Sequence, residues 1–164
     1  MRKAAALLAG LAILAFVNFG IWQREQLLTD GRIVLLQLAP VDPRSLMQGD
    51  YMRLSFAVAD EAFPRFGPSA VTSDGHIVVA LDAQGVGRFR RFADGKPLAP
   101  DEIALRYRIR AGQPNFATNA FFFEEGTAQA YAGARYGEFR VGEDGEMILT
   151  GLRGEKLERL GRGG

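Results

Sequence analysis

The spacing of hydrophobic positions changes character once along the chain, at about residue 31. From Ala4 to Gln23 the run AAALLAGLAILAFVNFGIWQ carries no charge, and only Gly10, Asn18, Gly20 and Gln23 interrupt it. Twenty helical residues reach about 30 Å, the thickness of a bilayer core. The run predicts a single membrane-spanning helix. Gln23–Leu28 extends it and Asp30-Gly31 ends it, with Gly31 taking a left-handed cap. Arg2 and Lys3 favour a cytoplasmic amino terminus, and Trp22 suits the far interface. A cleaved signal peptide would have a shorter run and a small-x-small site, which Val17–Ile21 does not offer, so the segment reads as an uncleaved anchor.

From Arg32 the pattern is that of β-structure. Ile33–Leu36 and Ile77–Leu81 are continuously apolar, as strands covered on both faces are. Tyr51–Phe56 alternates, with Met52, Leu54 and Phe56 on one face and Tyr51, Arg53 and Ser55 on the other. Ile103–Arg110 alternates too, with Ile103, Leu105, Tyr107 and Ile109 inward and Arg106, Arg108 and Arg110 outward. Val86–Phe92 forms a hairpin with Ile77–Leu81 across Gln84-Gly85. Tyr136–Val141 and Met147–Leu152 flank an Asp144-Gly145 turn, the clearest hairpin signal in the chain. Glu124 to Arg135 predicts a short helix, acidic at its start and basic at its end.

The sum is seven or eight strands in a mainly β (α+β) protein. A transmembrane helix is followed by a compact antiparallel domain, barrel- or sandwich-like, with one short helix. Three regions result: 1–30, the cytoplasmic tip, anchor and juxtamembrane extension; 31–153, the β domain; and 154–164, a flexible charged tail. The expected location is a cytoplasmic membrane crossed once, with the domain on the outer side.

Composition narrows the chemistry. The chain has no cysteine and one histidine, His76. That excludes disulfides, thiol nucleophiles and cysteine- or histidine-rich metal sites. A net charge of +1 gives no reason to expect nucleic acid. Paired carboxylates such as Glu124-Glu125 and Glu143-Asp144 are sequence neighbours, which point apart on a strand and form no acid–base dyad by themselves. No phosphate-binding glycine loop or calcium loop is present. No cofactor, metal or catalytic residue is expected, and the chain reads as non-enzymatic.

The segment Leu38–Phe56, LAPVDPRSLMQGDYMRLSF, stands out. Asp42-Pro43 suits a turn or helix start, Gly49 a return of the chain at positive φ, and Asp50 the capture of freed backbone donors. Gly49-Asp50-Tyr51, Leu54 and the aromatic Phe56 resemble the motif of the GDYXXLXY family of bacterial membrane-anchored proteins. Ala39–Arg44 and the Phe123–Thr127 run FEEGT are similar to that family too. Phe56 stands where the motif has Tyr. The resemblance implies an anchored protein without a known catalytic residue, accessory to a multi-span membrane protein. The partner surface would then be Gly49, Asp50, Tyr51, Arg53, Leu54 and Phe56, with Asp42 and Pro43 beside it.

Two other readings compete. Arg88, Arg90 and Arg91 lie on one predicted strand and Arg106, Arg108 and Arg110 on another. If those strands pair, their guanidinium groups form one face for an anionic lipid or a cell-envelope glycan. The opposing reading is a solvated sheet face, paired in part with Glu138 and Glu146. The second competitor is a degenerate signal-peptidase-like protease, which Pro43, Leu46, Gly49 and Asp50 loosely resemble. Such an enzyme needs a serine just before the proline and a desolvated lysine. Pro40, Val41 and Asp42 stand before Pro43, Ser45 follows it, and Lys96 and Lys156 lie in turn and tail contexts.

Overall fold

The computed structural model describes residues 2–39, 47–48, 51–63, 73–110 and 112–161. Helix α1 runs Arg2–Asp30. Its polar Asn18 is satisfied internally, Nδ2 donating to the Leu14 carbonyl at 2.9 Å. Among the described residues no helix is long and apolar enough to cross a membrane.

Among the described residues ten strands follow: β1 (Arg32–Gln37), β2 (Met47–Gln48), β3 (Tyr51–Arg53), β4 (Gly75–Leu81), β5 (Val86–Phe92), β6 (Glu102–Arg110), β7 (Gln113–Asn115), β8 (Ala120–Phe122), β9 (Tyr136–Val141) and β10 (Met147–Arg153). Seven form one sheet in the order β10-β9-β1-β5-β4-β6-β7, and β2-β3-β8 form a second. All pairings are antiparallel except β1 with β5, where Leu35 lies beside Val86. The large sheet curls into a half-barrel. The β9–β10 turn reaches across to β6, where the Arg106 N–H donates to the Gly145 carbonyl at 2.9 Å. Gly145 sits at φ +77°, and a Cβ there would lie 2.8 Å from the His76 ring.

The concave face holds the core. Val34, Leu36, Ile77, Val79, Leu105, Phe139 and Leu152 have no exposed surface. The alternation in the motif strand holds as expected: Met52, Leu54 and Phe56 are buried, while Arg53 and Ser55 are exposed. Phe56 packs edge-on against Phe139, with centroids 5.3 Å apart. A second aromatic group, Phe63, Phe92, Tyr107 and Phe116, fills the rest at centroid spacings of 5.0 to 6.2 Å.

Several expectations are corrected. The short helix is α2, Ala57–Ala62, not Glu124–Arg135. Six residues are too few to show a helical period. The Glu124 region instead forms a turn in which the Thr127 N–H donates to the Glu124 carbonyl at 3.0 Å, with Gly126 at φ +81°. Only a 3-10 turn, Ala128–Tyr131, follows. Gly31 has no positive φ. It is needed for close approach, since a Cβ would collide with the Leu27 carbonyl oxygen. Residues 154–161 fold back instead of trailing free, with the Leu160 N–H donating to the Leu152 carbonyl at 2.9 Å.

Replacing Phe139 by alanine empties the centre of the half-barrel. The expected loss is about 3–5 kcal/mol, read as a lower denaturation midpoint for the full chain in mild detergent.

Candidate functional site

Two surfaces carry the residues singled out by sequence. Of the motif surface, Asp42, Pro43, Gly49 and Asp50 lie outside the described residues, as does Ser45. Tyr51 and Arg53 lie on the outward side of β3, and the exposed Ser55 follows it. β8 pairs beside them, with Tyr51 opposite Phe122 and Arg53 opposite Ala120. The Tyr51 and Phe122 rings lie 5.9 Å apart, and Phe122 is 74% exposed. This is an aromatic patch with a cation at its rim. Leu54 and Phe56 point the other way, into the core.

The arginines do not form one face, because β4 lies between β5 and β6. On β5, a bulge opposite Val78 and Val79 puts the Arg90-Arg91 doublet out of alternation. Arg91 donates to Asp94 at 2.9 Å and to Glu102 at 3.1 Å, and Arg90 lies 3.8 Å from Glu102. Arg88 is exposed.

On β6 the arginines line a groove of about 310 Å³, walled on the far side by Asn115, Ala117, Thr118 and Asn119. Glu146, from the β9–β10 turn, takes both Arg106 and Arg108 on Oε1, the latter at 2.6 Å. Arg110 is held more loosely, 3.4 Å from Asp74, which also accepts the Ile109 N–H at 2.8 Å. The far wall is fixed from behind. Phe116 is 1% exposed, and Thr118 Oγ1 donates to the Ala120 carbonyl at 2.8 Å. The Leu54 N–H donates to the Asn119 carbonyl at 2.7 Å, so the motif strand holds the groove wall. Ala117 sits at φ +48°, a conformation that costs a non-glycine residue about 1–2 kcal/mol.

A model of the GDYXXLXY protein family matches residues 13–152. The chain belongs to the GDYXXLXY family. No curated protein and no solved structure matches it. In this GDYXXLXY protein the FEEGT run has a mechanical reading. Gly126 supplies the positive φ of the turn, and Phe123 stacks on Tyr131 at 5.6 Å.

The remaining titratable groups serve the frame. His76 lies on β4, and its Nε2 donates to the Asp144 carbonyl at 3.0 Å, tying the strand to the closing turn. Lys96 is exposed and paired with Asp94 at 2.6 Å. Glu138, which sequence reading counted among the partners of a solvated arginine face, is buried on β9 and pairs with other arginines. Its carboxylate accepts from Arg153 Nε at 2.5 Å and Thr150 Oγ1 at 3.1 Å, with Arg159 at 3.7 Å. Burial works to raise its pKa, but Arg153, Thr150 and Arg159 together outweigh it and hold the carboxyl below its ordinary value of 4.5. Burial and nearby Asp74 push the Tyr107 phenol up.

Sequence reading missed Asn115, Thr118 and Asn119. The polar string NFATN was the available signal, but nothing in it says that it faces β6.

The Glu138 pairing predicts a pH dependence. A carboxyl depressed in the folded state stabilises fully above the unfolded value of 4.5 and loses that contribution as pH falls through the lower folded value. Glu138→Gln should cost about 1–3 kcal/mol at neutral pH. The gap to wild type should close below the ordinary carboxyl range, as read by denaturant titrations across pH.

Proposed function

We propose that the chain is a membrane-anchored, non-enzymatic extracytoplasmic protein that serves as an accessory, partner-binding subunit of a multi-span membrane protein. The observation that carries this reading is the surface of α1. Leu8, Leu11, Ile13, Leu14, Phe16, Val17, Phe19, Ile21 and Trp22 are all at least half exposed, and Phe16 is 79% exposed. At 100° per residue these positions fall on every side of the helix. A helix apolar all round is one that protein or lipid covers.

With Arg2 and Lys3 at the start, the amino terminus stays cytoplasmic and the β domain lies outside. The Tyr51–Phe122 patch with Arg53 is the surface offered to the partner, since exposed aromatics beside an arginine are the usual interface anchors. The exposed, ion-paired Lys96 is a poor general base, in keeping with a non-enzymatic role.

Recovery of tagged protein from native membranes tests this. The protein should resist alkaline carbonate extraction and bring a multi-span protein with it in mild detergent. Arg53→Ala with Phe122→Ser should leave stability within about 0.5 kcal/mol and lower that recovery severalfold. Release by carbonate would sink the anchor. Partner recovery unchanged in the double variant would sink the surface.

A further inference from the structure

We infer that the β6 groove binds the phosphate of an anionic lipid headgroup beside the base of α1. The inference rests on the anchored reading above. Three guanidinium groups, Arg106, Arg108 and Arg110, face two carboxylates, Glu146 and Asp74, which leaves one positive charge. Arg106 and Arg108 already converge on a single carboxylate oxygen, so their spacing suits an oxyanion. Arg110 is the most available of the three, its side chain 62% exposed. Across the groove, the Asn115 and Asn119 amides make no hydrogen bond among the described residues. A phosphodiester brings one negative charge and two free oxygens. Guanidinium forks and amide donors match both.

The source of that phosphate follows from where the groove sits. The Gly142 N–H donates to the Glu146 carbonyl at 2.8 Å, so the two residues face each other across the turn. A Cβ on Gly142 would touch the Leu27 side chain of α1 at 3.2 Å. The Glu146 end of the groove therefore lies one strand spacing, about 5 Å, from the residue that meets the helix. Leu27 is one turn beyond Gln23, about 6 Å along the axis. That is the depth of the headgroup layer, which extends about 5–7 Å beyond the hydrocarbon. A free phosphate ester would use the same chemistry without needing this position.

The full chain is inserted into phosphatidylcholine vesicles with or without phosphatidylglycerol and extracted in mild detergent. Retained lipid is then counted by native mass spectrometry. Wild type should keep phosphatidylglycerol over phosphatidylcholine, and added salt should weaken the preference. Arg108→Gln should lower retention about tenfold. That variant also loosens Glu146, so Arg110→Gln with Asn119→Ala, remote from the core, keeps the test decisive if it unfolds. Equal retention of both lipids, or undiminished retention in the folded double variant, overturns the inference. Inorganic phosphate titrated into the detergent complex should displace the lipid. Phosphate binding without any lipid preference overturns the membrane source. Protein that fails to enter vesicles overturns the anchor and the lipid source together, leaving the phosphate titration to judge the groove.

Discussion

The closing turn of the β9–β10 hairpin carries more of this structure than its length suggests. Its Gly145 carbonyl accepts the Arg106 N–H, a backbone donor on β6 that the β4 ladder does not use. That contact ties the β9–β10 turn to β6 across the curl of the sheet. Only glycine suits the position, because φ is +77° and a side chain would meet His76 and the β6 backbone. The same few residues then do three things. Glu146 turns toward Arg106 and Arg108, Asp144 offers its carbonyl to His76, and Gly142 lies against Leu27. The tie to β6, the alignment of the arginines and the seating of the helix share one turn.

The outer face shows how a domain with many arginines limits its own charge. Glu102 serves Arg90 and Arg91, Glu138 serves Arg153 and Arg159, and Glu146 serves Arg106 and Arg108. Each carboxylate meets two guanidinium groups, so every cluster keeps a positive remainder. Burial decides what each is worth. Glu138 is 5% exposed, so its pairing holds the fold, whereas pairs with a third or more of their surface in water contribute little stability. The β6 cluster is of the second kind, and it opens onto the groove.

The helix runs directly into the domain. No linker separates Asp30 from Arg32, and Arg140 Nη1 donates to the Gly31 carbonyl at 2.9 Å. The same Nη1 lies 3.5 Å from the Thr29 carbonyl in the last turn of α1, so a cation from β9 sits at the negative end of the helix dipole. Whatever fixes the helix therefore fixes the orientation of the groove and of the aromatic patch.

Local pattern determined a good deal. The charge-free run set the long helix, and alternation in Tyr51–Phe56 and Ile103–Arg110 told inward from outward residues, because side chains on a strand change face at every step. The two hairpins and the family motif were also readable, being local in the chain. What the tertiary structure alone decided was adjacency. Placing β4 between β5 and β6 split the arginines into two groups, since strand order depends on which edges meet after collapse. Glu138 was buried although its pattern position is outward, because Arg153, Thr150 and Arg159 come over it from distant positions. NFATN became a groove wall because the Leu54 N–H found the Asn119 carbonyl. Such pairings join residues far apart in the chain, and their geometry exists only once the sheet has curled.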